Sequence, residues 1–204
     1  MRRTLEDVRS SPFIVAHVYL MVPSEFIPSH PSDQPLIRVV RVGGMSKAEL
    51  LQKLQGADVR LNEAGRTLFQ DDRFRTSAVS VLIETVELPV ASLGCDGGAT
   101  FAQITERAAS GGLSLCPLEL GPHLRLQFME QPEGSLGYPP SRNCAPPGSI
   151  TVASEALTPD DDTPKGFYLR RIEGVLWLRG YRSWPGHIWS PEDRFVFSRF
   201  HNAT

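Results

Sequence analysis

The stretch Lys165–Tyr181 (KGFYLRRIEGVLWLRGY) restricts the fold more than any other part of the chain. Glu173-Gly174 separates two runs of strand-forming residues. A two-residue turn, with glycine supplying positive φ, predicts a hairpin of Phe167–Ile172 against Val175–Arg182. In that register Ile172 faces Val175, Arg170 faces Trp177 and Tyr168 faces Arg179. Successive strand side chains point to opposite faces. One face therefore carries Phe167, Leu169, Leu176 and Leu178, joined near the turn by Arg171; the other carries Tyr168, Arg170, Ile172, Val175, Trp177, Arg179 and Tyr181. The first is nearly pure hydrocarbon and must be buried. The second interleaves guanidinium groups with aromatic rings. A lone hairpin is marginal in water, so this one must belong to a larger sheet covered on its apolar side.

The rest of the chain supplies that sheet and its cover. Leu36–Val42 (LIRVVRV) reads as a strand ended by Gly43-Gly44. Ser46-Lys47-Ala48-Glu49 is a capping box opening a helix with Leu50, Leu51 and Leu54 on its apolar side. After Val59-Arg60-Leu61, Asn62 can cap a second helix holding Ala64, Leu68 and Phe69. Val79–Leu88 is a further strand, and Gly97-Gly98 leads to a helix opening at Thr100 with Gln103 in the capping-box position. Aligning Ser46 with Thr100 sets an offset of 54 residues, at which Glu49 falls on Gln103, Leu50 on Ile104, Val59 on Leu113 and Asn62 on Cys116. This suggests a duplicated strand–helix–helix unit, although any two capped amphipathic helices share much of that pattern. Pro117 suits the first turn of a short helix, and His123–Phe128 (HLRLQF) alternates as a strand. Ser149–Ala153 and Arg194–Arg199 read as further strands. The expected class is α+β, an antiparallel or mixed sheet with helices. Four segments are expected within one compact domain: an N-terminal strand and Pro-rich loop (1–35), the two α/β units (36–130), a Pro-rich loop region (131–166), and the C-terminal hairpin with a closing strand (167–204).

Charge and cysteine usage exclude several classes. Lys+Arg is 21 and Asp+Glu is 23, a net charge of −2 spread evenly, so bulk electrostatic capture of nucleic acid or an anionic membrane is disfavoured. Only Lys47, Lys53 and Lys165 are lysine; the other 18 basic residues are arginine, the side chain of planar, bidentate and ring-stacked contacts. Three dispersed cysteines (Cys95, Cys116, Cys144) make no disulfide framework and point to a reduced, cytoplasmic setting. Near the N-terminus, Glu6, Asp7, His17 and Tyr19 interrupt what could pass for a signal peptide. Ile14, Ala16, Val18 and Leu20 fall on one side of an extended chain, so a strand is expected, followed by a Pro23–Pro35 loop.

The blocks Leu113–Phe128 (LSLCPLELGPHLRLQF), Gln131-Pro132-Glu133-Gly134, Lys165–Tyr181 and Trp189–Phe197 (WSPEDRFVF), with an upstream counterpart of Val59–Phe69, resemble a family of uncharacterised bacterial proteins over roughly residues 45–200. The resemblance implies a bacterial origin; it brings no activity, cofactor or catalytic residue with it.

Three readings of function follow. In the first, the protein is a non-enzymatic binding or adaptor protein that takes a protein partner or a small anionic ligand. Its site would be Tyr168, Arg170, Trp177, Arg179 and Tyr181 on the hairpin, with Trp184 and Trp189 from the glycine/proline segment Trp184–Trp189. The bland alternative is that these rings and guanidiniums only pack against one another on a solvated sheet. In the second reading, Cys116 is the nucleophile of a hydrolase or transferase, with His123 as base and Glu119 orienting it; here the bland alternative is a core cysteine. The third is binding of single-stranded nucleic acid on the ring-and-guanidinium face, which the even charge balance disfavours. No metal site is expected, since Cys-x-x-Cys and His-x-x-x-His spacings are lacking, and no cofactor. Gly43-Gly44 and Gly97-Gly98 precede helix N-termini that could hold an anion, but neither pair sits in a phosphate-loop or dinucleotide fingerprint.

Overall fold

The computed structural model describes residues 34–135 and 145–199. The strand expected over Ile14–Leu20, nearly all of the Pro23–Pro35 loop and Cys144 lie outside these. The described strands are β1 (Leu36–Val42), β2 (Arg60–Leu61), β3 (Val81–Pro89), β4 (Ala99–Thr100), β5 (Ile150–Val152), β6 (Gly166–Ile172), β7 (Val175–Tyr181), β8 (Ile188–Trp189) and β9 (Arg194–Arg199). The helices are α1 (Lys47–Gly56), α2 (Glu63–Gln70), α3 (Phe101–Ser110) and α4 (Leu120–Gln127). Seven strands form one mixed sheet in the order β1-β3-β9-β5-β6-β7-β2, and β4 pairs with β8 apart from it. β5 runs parallel to β9 and β2 parallel to β7; the other pairings are antiparallel. The class is α+β, as expected. Because β9 lies between β3 and β5, the closing strand ties the first half of the chain to the hairpin.

Alternation along the strands sends side chains into two cores. Val196 of β9 and Val152 of β5 join Val40, Ile83, Phe167, Leu169 and Leu178 beneath Leu50 and Leu54 of α1, Leu68 and Phe69 of α2, and Leu120 and Leu124 of α4. Their neighbours Phe195, Phe197 and Ala153 pack with Val86 and Leu88 of β3 on the other face, against Ile104 and Ala108 of α3. Helices thus cover the first face widely, whereas α3 covers the second only over β3, β9 and the end of β5. The rest of that second face, on β6, β7 and β2, lies beyond the reach of α3.

Local chemistry accounts for most element ends. Ser46 with Glu49 and Thr100 with Gln103 both form complete capping boxes. Asn62 Oδ1 accepts from the Gly65 N–H and caps α2. The hairpin turn is built as expected, with Glu173 at φ 52° and Gly174 at φ 73°. Two expectations need correction. His123–Phe128 is not a strand: it lies in and just after α4, where Leu120 through Arg125 are all buried. Trp189 is not in an open loop; it belongs to β8 and is buried in the second core. The expected repeat is not confirmed: β4 stands between β3 and α3 without a counterpart before α1, and the pairings differ. β2 runs parallel to β7, whereas the corresponding stretch after α3 makes only isolated bridges, Ser114 with Ser198 and Cys116 with Ser154.

Candidate functional site

Tyr168, Arg170, Trp177, Arg179 and Tyr181 share the part of the second face that α3 does not reach, and the register that puts them there is the one the hairpin predicts: Ile172 opposite Val175, Arg170 opposite Trp177, Tyr168 opposite Arg179. β2 adds a member that sequence reasoning missed. Arg60 pairs in register with Trp177, so Arg170, Trp177 and Arg60 form one row across three strands. The only signal for it was the alternation of Val59-Arg60-Leu61. The Arg179 guanidinium lies 5.1 Å from the centre of the Trp177 ring and 5.9 Å from that of Tyr168, and Arg60 lies 5.9 Å from Trp177. Trp177 thus has two guanidiniums against it, Arg60 from its own row and Arg179 from the next.

None of Arg60, Arg170 and Arg179 forms an ion pair among the described residues. Arg170 is 93% buried, donates from Nη2 to the Ser135 carbonyl at 2.8 Å, and leaves a buried Nε without a partner; Arg179 Nε is likewise buried and unpartnered. Burial lowers the Arg170 pKa and raises that of the Tyr168 phenol, so the face holds neutral rings among cations. Guanidiniums in this setting have donors in hand for a planar oxyanion.

The two outlying tryptophans go separate ways. Trp184 is 61% exposed. It folds over Gly186, where a β-carbon would come within 2.0 Å of its ring. Trp189 is 5% exposed and packs edge-on to Tyr181, His187 and Phe195, with centroids 5.6, 4.8 and 4.9 Å apart. Trp189 therefore reaches the face through Tyr181. Trp177 also lines an open groove of about 1260 Å³ between β7 and the ends of α1 and α2, with Arg60 and Arg66 on its wall.

The second set of residues is arranged differently. Cys116 is 4% exposed, its Sγ donates to the Val196 carbonyl at 3.5 Å, and burial raises its pKa far above the ordinary thiol value. His123 sits inside α4, 1% exposed, and its Nε2 accepts the Gly43 N–H at 3.0 Å, which fixes the neutral ring with its proton on Nδ1. Burial lowers the His123 pKa and so favours that neutral form. Glu119 lies one turn before His123, 3.9 Å from Nε2, and accepts from the Ser77 N–H; burial raises its pKa. The thiol and the imidazole are thus engaged with different backbone groups, Val196 on β9 and Gly43 after β1. Glu119 and His123 hold together the Gly43-Gly44 turn, whose two N–H groups go to His123 and the Ser77 carbonyl rather than to an anion.

Among the described residues no three His, Cys, Asp or Glu side chains group as a metal site would, and no helix is long and apolar enough to cross a membrane. No family model, curated protein or solved structure matches the chain.

Proposed function

We propose that this is a non-enzymatic binding protein whose face on β6, β7 and β2 takes an anionic group, presented by a small ligand or by an acidic partner protein. The observation that carries this reading is the set of three guanidiniums, Arg60, Arg170 and Arg179, set against Trp177 and Tyr168 with no carboxylate among the described residues paired to any of them. A sheet face that was merely solvated would gain from interspersed acids, which cross-strand pairing rewards. A recognition face gains from leaving the cations open. Half-burial lowers the local dielectric and strengthens each contact to an incoming oxyanion. A net charge of −2 gives no long-range attraction, so affinity has to come from contacts made on the face.

The test follows the Trp177 indole and the Arg170 and Arg179 Nε–H resonances while inorganic phosphate or a tetraglutamate peptide is added. Both sets of signals should move together and saturate. Trp177→Ala combined with Arg179→Gln should weaken binding at least tenfold, with an unchanged far-ultraviolet spectrum. An oligothymidine strand serves as the comparison: tighter binding that falls steeply with salt would replace this reading with single-strand recognition. Signals that stay still under every anion would leave the face a structural one.

A further inference from the structure

The open groove beside Trp177 lies at the β2 edge of the sheet. β2 ends the strand order, and among the described residues no strand pairs with its far side. Both faces of the sheet contribute to the groove. Arg60 and Trp177, in register with each other, come from the second face together with Val175. Leu61 and Leu176 come from the first, where with Leu51 of α1 they are half-buried against the first core. The first core thus reaches the surface here, because a two-residue strand is too short to cover it. Apolar surface left half in water is stabilised by whatever completes its burial. Charge at the groove is unbalanced. Arg60 and Arg66 line it with one carboxylate, Asp58, and none of the three forms an ion pair among the described residues. Its volume of about 1260 Å³ is larger than the roughly 300–1,000 Å³ of ordinary small-molecule sites.

We propose that this groove takes an extended acidic segment of a partner protein, one in which apolar residues alternate with Asp or Glu. The two-faced lining decides for an extended segment. Successive side chains of a strand point opposite ways, so the apolar ones meet Leu51, Leu61 and Leu176 while the acidic ones meet Arg60 beside Trp177. A docked helix presents one apolar stripe and would leave one side of the edge unmet. Sheet edges take extended peptides in this way, with alternate side chains setting specificity. Arg66, exposed on α2, adds attraction for a further carboxylate. The inference rests on the anion-binding reading, because Arg60 and Trp177 belong to that face, and it names the source of the anion as a protein segment.

Three end-blocked hexapeptides test it: LELELE, the same composition in blocks (LLLEEE), and the charge-reversed LKLKLK. LELELE should shift the Trp177 indole signal and the backbone amide signals of Leu61 and Leu176 together and saturably. LLLEEE should bind at least tenfold more weakly, and LKLKLK should move none of them. Arg66→Glu changes an exposed side chain, so the fold tolerates it; it should weaken LELELE at least tenfold and leave the phosphate shifts of Trp177 and Arg179 unchanged. Leu51→Gln should weaken LELELE similarly, with an unchanged far-ultraviolet spectrum. Equal binding of LELELE and LLLEEE would overturn the extended arrangement. So would shifts of Leu61 and Leu176 that grow with protein concentration alone, the groove then holding a second copy of this chain. Signals unmoved by all three peptides while phosphate still shifts Trp177 and Arg179 would overturn this proposal and leave the anion-binding face intact. Silence under peptides and phosphate alike would overturn both.

Discussion

A thiol is reactive only as thiolate, and whether thiolate forms depends on what surrounds the sulfur. Around Cys116 every influence runs one way. The side chain is buried among Leu120, Ile150 and Val196, its proton is given to a carbonyl oxygen, and burial alone sets its pKa above the free value. Cys95, half-buried near the surface, gives an internal reference in the same molecule. Alkylation by iodoacetamide at neutral pH should therefore modify Cys116 at least a hundredfold more slowly than Cys95, and the protection should vanish in denaturant. Raising the pH to 9 should bring little change, because the folded-state thiol is still protonated there. Mass spectrometry of the two tryptic peptides checks this, and a Cys116 that reacts faster than Cys95 in the folded protein would restore the nucleophile reading. His123 makes a parallel case. Its spacing from Cys116 and Glu119 suggested chemistry, but a neutral imidazole that accepts a buried backbone N–H is serving as the cap of a glycine turn.

At the scale of elements, the contact that fixes the hairpin against the first core runs through two residues with little apolar surface. Asn62 caps α2, and it also pairs with β7 as a backbone unit would: its Nδ2 donates to the Gly180 carbonyl at 2.9 Å, and its Oδ1 accepts the Gly180 N–H at 2.8 Å. Gly180 has to be glycine, because a β-carbon there would stand 2.6 Å from the Ala64 carbonyl carbon. Asn62→Ala removes the cap and strands both polar groups of Gly180, at a cost of about 2–4 kcal/mol. Gly180→Ala should cost at least as much by pushing α2 off the sheet. Denaturant midpoints measure both. A loss below about 1 kcal/mol for either would mean that α2 is held by its leucine and phenylalanine contacts alone. The cap at Asn62 and the alternation of β7 were legible because each depends on nearby residues. The pairing of Asn62 with Gly180, 118 positions apart, had no local trace. The misreading of α4 has the opposite cause. His123–Phe128 alternates for six residues, but in this helix Gly121, Pro122, His123, Leu124 and Arg125 are all buried, so over these five residues the polar side chains are buried with the apolar ones and helical periodicity is erased. Arg125 stays buried by donating to Gln131 Oε1 and the Phe128 carbonyl, a solution visible only in three dimensions.

Considered whole, the molecule covers the two faces of its sheet unequally. Three helices close the first, and α3 closes only the middle of the second. The second face thus has two wings of contrary character that no helix among the described residues covers. Toward β2 lie the guanidiniums and rings. Toward the other edge, Val39 and Ile37 of β1 and Leu82 of β3 share the face and are 61%, 38% and 61% exposed. The sequence foretold the first wing through the hairpin's strict alternation. It gave no warning of the second, because LIRVVRV reads equally well as an edge strand or a central one, and only strand order, set by β9 entering between β3 and β5, decides. Exposed apolar side chains on an edge strand promote association. Val39→Lys with Leu82→Lys should therefore reduce self-association in sedimentation velocity at high concentration. Each should change folding stability by no more than about 0.5 kcal/mol, as surface substitutions do, and phosphate should still shift the Trp177 and Arg179 signals, since those lie at the opposite end of the sheet. A loss above about 2 kcal/mol would show this wing to be packed against further protein, and the uncovered part of the second face would then shrink to the guanidinium rows alone.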